Sequence, residues 1–462
     1  MAMYNNDTIC APATANGYAA ISIIRISGEN AIEICKKIFV SKNSNFTDFK
    51  SHRIYFGNIQ NGNDIIDEVL VSIFKAPHSY TGENSVEISC HGSSYILQKI
   101  LELLINKGAR PAKPGEFTMR AFLNGKIDLS QAEAVADLIS SNSKASHALA
   151  LSQMRGGFSN IIKVLRQELV NFASLIELEL DFGEEDVEFA DRNALNILLS
   201  KLKSEIQKLI NSFAMGNVIK HGIPVAIIGK PNVGKSTLLN SLLNEEKAIV
   251  SEIPGTTRDS IEDILNINGI TFRFIDTAGL RQSDDEIENI GIERTYQKIS
   301  QASIILYVVD ICKTSVKEIK ASLNDFEQQI ENKDKKFIII ANKTDLLFQT
   351  PQHIRDLLSL EIIFISAKRK ENINLITDSL LKSVSINENS NNTVISNIRH
   401  YEALSKTLES ISQIENGLNN NIPGDLIAID LKTALLHLGE ISGEVTNDEI
   451  LGNIFANFCI GK

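Results

Sequence analysis

Residues 229–236 read Gly-Lys-Pro-Asn-Val-Gly-Lys-Ser, which fits the pattern GxxxxGK[ST]. The apolar run PVAII precedes this stretch and the run TLLNSLL follows it, so the pattern lies between a predicted strand and a predicted helix. Glycines in such a turn allow backbone N–H groups to surround a phosphate, while Lys235 balances phosphate charge and the Ser236 hydroxyl can bind Mg²⁺. The stretch therefore predicts an α/β nucleotide-binding domain of the P-loop type, in which Val233, Gly234 and Thr237 also contact the nucleotide.

Three more motifs follow predicted strands in the order expected for a guanine-nucleotide site. Asp276, Thr277, Ala278 and Gly279 follow FRFI, and here the carboxylate can hold the Mg²⁺ shell while the Gly279 amide meets the γ-phosphate. The other two motifs supply base contacts from Asn342, Lys343, Asp345, Ser366, Ala367 and Lys368. The Asp345 carboxylate can accept both N1–H and the exocyclic amine of guanine, a donor pair that adenine lacks. Because ligands bind at the carboxyl ends of strands in open α/β sheets, the motifs together predict GTP and GDP as ligands.

The loop Pro254-Gly255-Thr256-Thr257-Arg258-Asp259 lies between the first motif and residues 276–279. A threonine in this place can complete the Mg²⁺ shell when the γ-phosphate is present, and Thr257 is the candidate. Loss of that contact after hydrolysis would release the loop, as in other nucleotide switches.

The 462 residues exceed what one hydrophobic core supports, which is roughly 250 to 300 residues. Short β-like runs (Ala20–Ile26, Val69–Phe74 and Val86–Cys90) alternate over residues 1–120 with helical stretches such as Ala31–Phe39, which predicts an α+β domain. Apolar positions at helical spacing over 121–217, such as Leu195, Leu198 and Leu202, and again over 385–462 predict an all-α domain. The segment 218–384 contains continuous apolar runs, which are typical of a parallel sheet covered on both faces. It separates the two helical parts, so we expect a nucleotide domain inserted into a helical domain. The acidic connection Asp181–Arg192 is expected to be a solvated loop rather than a metal site.

Composition narrows the classes of protein that the chain can represent. No run of about 18 apolar residues could cross a bilayer, and the N-terminus does not resemble a secretory signal, so we expect a cytoplasmic protein without membrane contact. The five cysteines are far apart and form no CxxC pair, which argues against a disulfide framework and a zinc site. Net charge is -11, although residues 1–120 carry 12 Lys and Arg against 11 Asp and Glu. Nucleic acid would therefore have to bind a local basic patch.

The combined motifs resemble the Era-like branch of GTPases with a Ras-like P-loop G domain. The blocks IIRISG, TGENSVEISCHG and PGEFTMRAFLNGKIDLSQAEA, together with the terminal Cys459-Ile460-Gly461-Lys462, resemble the MnmE (TrmE) family of tRNA-modification GTPases. This resemblance spans essentially all of the chain. It implies an N-terminal tetrahydrofolate-binding domain that also dimerises.

The resemblance implies a distinct way of stabilising the transition state. Leu280 stands where other GTPases have a water-positioning Gln, and the family instead uses K⁺, with Glu288 orienting the water. By position, Asn232, Ser251, Ile253 and Thr256 would hold K⁺, and the intervening Glu252, Pro254 and Gly255 would contact the nucleotide. Such a cation would stabilise developing phosphate charge together with Lys235. Hydrolysis would then depend on the meeting of two G domains. An alternative for Glu288 is one acid among several on a solvated helix start.

The resemblance also implies a folate site, with Arg25, Glu87, Lys126 and Lys462 contacting 5-formyltetrahydrofolate or a related folate. Without the family, Arg25 would be interpreted as a strand-edge surface charge and Glu87 as a cross-strand partner. For Cys459, a role in the modification chemistry and a buried structural position both remain open.

Two functions follow from these patterns. In the first, which the resemblance implies, a homodimeric GTPase would work with the flavoprotein MnmG to add a carboxymethylaminomethyl (or aminomethyl) group to carbon 5 of the wobble uridine of certain tRNAs, using a folate one-carbon unit. In the second, the chain is a ribosome-assembly or signalling GTPase of the Era or Der kind. The terminal Cys-Ile-Gly-Lys and the folate-like positions favour the first.

Overall fold

The computed structural model describes most of the chain, namely residues 7–15, 17–44, 46–181, 192–244, 263–275, 299–329, 335–347, 362–383, 393–420, 422–445, 448–456, 458–459 and 461. Two compact units are present. The first contains residues 1–140, 150–210 and 399–462, and the second contains residues 141–149 and 211–398. The predicted domain boundaries at residues 120, 217 and 384 stay predictions.

The first unit contains a seven-stranded sheet in the order β3-β4-β5-β6-β2-β1-β7. All neighbouring strands are antiparallel except β1 and β7. Its strands are β1 (Thr8–Pro12), β2 (Ala19–Ser27), β3 (Phe39–Ser41), β4 (Arg53–Asn61), β5 (Asp64–Phe74), β6 (Ser85–Gly92) and β7 (Ala109–Pro111). The strands predicted within β2, β5 and β6 are confirmed. The predicted helix over 31–39 is too long, because Phe39 already begins β3.

Alternation along β4 and β5 separates a buried face of this sheet from an exposed one. Val69, Val71 and Ile73 are buried in the core, whereas Leu70 is 46% exposed. Phe56, the register partner of Leu70, is 48% exposed. Side chains two residues apart on a strand share a face, so these apolar residues form one exposed patch.

The helices of the chain include two long ones that the sequence predicts. Apolar residues of the helix over residues 157–181 recur at helical spacing and are buried, as are those of the following helix, where Leu199 rather than the expected Leu198 is fully buried. In the residues that the structure describes, the α-helices are α1 (Ala31–Lys36), α2 (Ser94–Asn106), α3 (Glu116–Leu123), α4 (Leu129–Ser140), α5 (Lys144–Met154), α6 (Gly157–Asp181), α7 (Arg192–His221), α8 (Lys235–Leu243), α9 (Val316–Gln329), α10 (Ile373–Lys382), α11 (Ile398–Asn419), α12 (Gly424–Ser442) and α13 (Asp448–Ala456).

A buried acid joins three elements of the helical part. Glu133 of α4 accepts hydrogen bonds from Arg399 at 2.9 Å and lies 2.7 Å from the His400 Nε2. Arg399 also donates to the carbonyls of Glu440 and Ile441 near the end of α12. The ion pair therefore fixes α4, α11 and α12 together.

The second unit contains a six-stranded sheet in the order β13-β12-β11-β8-β10-β9. Its strands are β8 (Ile223–Ile228), β9 (Asp263–Ile267), β10 (Ile270–Phe274), β11 (Ile304–Asp310), β12 (Lys336–Asn342) and β13 (Ile362–Phe364). Every pair is parallel except β9 with β10. The parallel sheet predicted from the continuous apolar runs is therefore confirmed for β8, β10, β11, β12 and β13, and β9 adds an antiparallel edge strand that the sequence did not predict. Both faces carry a hydrophobic core, which is why β11 is buried at every residue.

Residues 141–149 pack within the second unit although their chain neighbours belong to the first. The Asn142 carbonyl accepts from the Asn266 side chain at 2.9 Å, and the Asn142 side-chain oxygen accepts from Thr271 at 3.2 Å. The Ala145 N–H donates to the Gly269 carbonyl at 3.5 Å. This segment therefore contacts the β9–β10 hairpin directly.

Within the described parts of the chain, none of the helices is both long enough and apolar enough to cross a bilayer.

Candidate functional site

The turn after β8 has the backbone shape that a phosphate-binding loop requires. Asn232 and Gly234 adopt left-handed φ values of 61° and 99°, and α8 begins directly afterwards at Lys235. A Cβ at Gly234 would lie 2.3 Å from the Asn342 amide nitrogen, so only glycine fits. The Lys235 ammonium donates to the carbonyls of Gly229 and Lys230, each at 2.9 Å. The Lys235 side chain therefore bridges the loop, and the positive charge of its ammonium lies beside the N-terminus of α8.

Asn342 links the phosphate loop to the last motif. Its side-chain nitrogen donates to the Val233 carbonyl at 2.8 Å, and its oxygen accepts from the Ala367 N–H at 3.0 Å. Asn342 is only 2% exposed, so this bridge is held in the core. Ser241 of α8 adds a second tie by donating to the Ala367 carbonyl at 2.9 Å.

Asp345 and Ser366 meet at the position predicted to select the base. The Ser366 hydroxyl donates to the Asp345 carboxylate at 2.7 Å, and this hydrogen bond lowers the pKa of Asp345 below its ordinary value. The carboxylate is therefore ionised at neutral pH and offers only acceptors, as recognition of the guanine N1–H and amine requires. Lys368 is exposed beside this loop.

Two further predicted nucleotide-contacting residues lie in the described part of the chain, but their contacts there do not assign them a role. Ser236 and Thr237 are exposed at the start of α8, where a hydroxyl would be available to a metal ion. The remaining predicted nucleotide, metal and catalytic residues lie outside the described residues and stay predictions: Ser251, Glu252, Ile253, Pro254, Gly255, Thr256, Thr257, Asp276, Thr277, Ala278, Gly279 and Glu288.

Sequence reasoning missed Asp310, the last residue of β11. Its carboxylate lies 2.8 Å from the Lys343 ammonium, and the residue is 5% exposed. The available signal was a single acid that ends an apolar strand, at the same sheet edge as the other motifs.

A second arrangement surrounds Arg25 in the first unit. Arg25 donates to the Glu87 carboxylate at 2.8 and 3.0 Å, and the two residues are register partners on β2 and β6. The guanidinium lies 5.3 Å from the Tyr80 ring centroid and 5.8 Å from that of Phe117. It also lies 3.5 Å from the Gly461 carbonyl. A charged pair beside aromatic rings suits a flat, polar heteroaromatic ligand with a carboxylate.

The remaining folate candidates are less connected to this pair. Lys126 donates to the Pro77 carbonyl at 3.1 Å, and Lys462 lies outside the described residues. Cys459 is exposed, and its carbonyl accepts from the Gly115 N–H at 3.4 Å, so the buried structural position considered for this thiol is corrected. The rings of Tyr80 and Phe117 were not predicted from the sequence, because no short motif connects them to Arg25.

Two models of known protein domains match this chain. The model of the MnmE helical domain matches residues 129–459, and the model of the GTP-binding protein TrmE N-terminus matches residues 8–126. The tRNA modification GTPase MnmE of Flavobacterium psychrophilum is 56% identical over 465 residues and covers 100% of both chains. The protein of the same name from Flavobacterium johnsoniae is 54% identical, with 100% of both chains covered. That from Christiangramia forsetii is 54% identical, with 99% of each chain covered.

Proposed function

The chain belongs to the MnmE family of tRNA modification GTPases, and we propose that it modifies carbon 5 of the wobble uridine of certain tRNAs together with the flavoprotein MnmG. It is a GTPase that acts in tRNA modification. The added group is carboxymethylaminomethyl, and a folate one-carbon unit supplies its methylene. The reaction takes place in the cytoplasm.

One observation carries this proposal. The same chain holds a phosphate loop joined to the base-selecting Asp345 and, in its other unit, the Arg25–Glu87 pair beside two aromatic rings. An assembly or signalling GTPase needs the first arrangement only. The second arrangement supports the use of a heteroaromatic cofactor such as 5-formyltetrahydrofolate, held by Arg25, Glu87, Lys126 and Lys462.

The proposed hydrolysis uses two cations. Ser236 and Thr257 would hold Mg²⁺, and Asn232, Ser251, Ile253 and Thr256 would hold K⁺. These ions would supply positive charge to the phosphates as negative charge develops, while Glu288 would orient the attacking water. The left-handed Asn232, exposed on the loop, supports its role as a ligand.

We therefore expect hydrolysis to be much faster in KCl than in NaCl at equal ionic strength. Phosphate release would be measured at saturating Mg²⁺, with nucleotide affinity measured in both salts as the control. Equal rates would remove the potassium mechanism and the role of Asn232.

The proposed homodimer uses the exposed face of the first sheet. Register aligns Arg25, Glu87, Ser72 and Ile54 across four strands, and the next row contains Leu70 and Phe56. The apolar patch is thus continuous with the Arg25–Glu87 pair. An exposed apolar patch of this kind is typical of a protein interface, and the partner chain would cover the folate site.

The decisive test is mass analysis of wobble nucleosides from cells that lack this protein. We expect loss of the carboxymethylaminomethyl group from the affected tRNAs, with restoration by the wild-type gene. Intact wobble modification together with defective ribosomal particles would instead support the Era or Der kind of function.

A further inference from the structure

Lys343, in the predicted base-selecting motif, contacts both the phosphate loop and a buried acid outside either motif. Its ammonium donates to the Asn232 carbonyl at 2.6 Å and to the Asp310 carboxylate at 2.8 Å. The Asp310 side chain is 7% exposed, whereas that of Lys343 is 28% exposed. The buried acid therefore fixes a more exposed cation.

Strand register places this acid. Asp310 is the β-sheet partner of Asn342, so the residue after Asn342 leaves the sheet directly beside the carboxylate. Lys343 adopts a left-handed φ of 73° there, which directs the chain out of the strand. Because a lysine side chain has many rotamers, a fixed carboxylate is needed to hold its ammonium group at one carbonyl.

We propose that Asp310 is a positioning residue of the guanine-nucleotide site. It holds the Lys343 ammonium against the Asn232 carbonyl and so keeps the phosphate loop in its nucleotide-binding shape. Asp310 itself touches neither base nor phosphate in this role, and it acts through Lys343.

Asp310 has a second, purely structural set of contacts that an experiment must separate. Its other carboxylate oxygen accepts from the Cys312 N–H at 3.0 Å. Its carbonyl accepts from the N–H groups of Lys313 and Thr314. Asparagine preserves these contacts, since its side-chain oxygen can still accept from Cys312, but its NH₂ cannot accept from Lys343.

The test is Asp310→Asn, with the affinity and release rate of fluorescent GDP as the readouts. Loss of a charge-assisted hydrogen bond predicts affinity lowered by about tenfold or more, with faster release. The matched control is Glu318→Gln, which removes the exposed ion pair with Lys230 of the same loop and should leave affinity unchanged.

A double-mutant comparison distinguishes positioning from a general loss of fold. In a Lys343→Gln background, Asp310→Asn should change affinity by less than about threefold, because its target is already gone. Any loss of stability common to both backgrounds cancels in that ratio. Unchanged affinity for the single variant, or an equal effect in both backgrounds, would overturn the proposal. Neither result would affect the wobble-nucleoside test of the proposed function.

Discussion

At the scale of single residues, the proposed selection of guanine depends on the direction of the hydrogen bonds at Asp345. Ser366 fixes this carboxylate as an acceptor. Asp345→Asn introduces a donor, which suits the additional carbonyl of xanthine in place of the guanine amine. We expect preference to shift from GTP toward xanthosine triphosphate by at least about tenfold, measured by competition binding. Retained selectivity for GTP would refute the guanine assignment.

Glu133 illustrates a residue whose charge contributes to stability rather than to the reaction. Burial raises its pKa, but the His400 and Arg399 contacts outweigh burial and lower the pKa to about 2, from 4.5 in an unfolded chain. The stabilisation is therefore present above about pH 4.5 and is lost as the pH falls toward about 2. Its size is on the order of 3 kcal/mol.

We accordingly expect Glu133→Gln to lower the free energy of unfolding by about 3 kcal/mol at pH 7 and by progressively less below about pH 4.5. Urea unfolding at several pH values measures this difference. Glu33→Gln, which removes only an exposed ion pair with Lys36, serves as the control and should have little effect at any of these pH values. A difference independent of pH would show that packing, not charge, is responsible.

At the scale of elements, the join between β8 and α8 tolerates glycine alone at residue 234. Gly234→Ala would combine a strained φ of 99° with a contact of 2.3 Å to Asn342. We expect nucleotide affinity to fall by at least about a hundredfold, as measured by fluorescent GDP binding. Gly452→Ala in α13, where a Cβ meets nothing within 4 Å, is the matched control and should bind normally.

Sequence alone predicts those elements whose pattern is local. The strand β11 is buried on both faces and is therefore a continuous apolar run, whereas the helix α6 is buried on one face and repeats its apolar residues at helical spacing. Both patterns are local, so the sequence predicts both elements. The antiparallel β9 was not predicted, because its five residues alternate and depend on a partner strand for their direction. At the site, contiguous motifs predict Asn342 and Asp345 as nucleotide contacts. Asp310 and Tyr80 contact residues that are distant in sequence, and no spacing rule reveals such contacts.

At the scale of the whole molecule, the exposed sheet face predicts the oligomeric state. Phe56 and Leu70 are adjacent across two strands and about half exposed. The double variant Phe56→Ser, Leu70→Ser should convert the proposed dimer to a single chain of 51.0 kDa in sedimentation velocity. Ile429→Ser removes an apolar residue that is 59% exposed on α12, and it should remain dimeric. A dimer that survives the double variant would exclude this face as the interface.

The segment of residues 141–149, which contacts the β9–β10 hairpin through Asn142 and Ala145, has a practical consequence. A fragment cut at residues 211 and 398 would omit this segment, although it belongs to the nucleotide unit. Asn266 and Thr271 would then exchange their Asn142 partner for solvent, in the stretch between the two loops expected to respond to the γ-phosphate. Hydrolysis rates measured on such a fragment would describe a β9–β10 hairpin that lacks these hydrogen bonds. A fragment that also includes residues 141–149 would retain them.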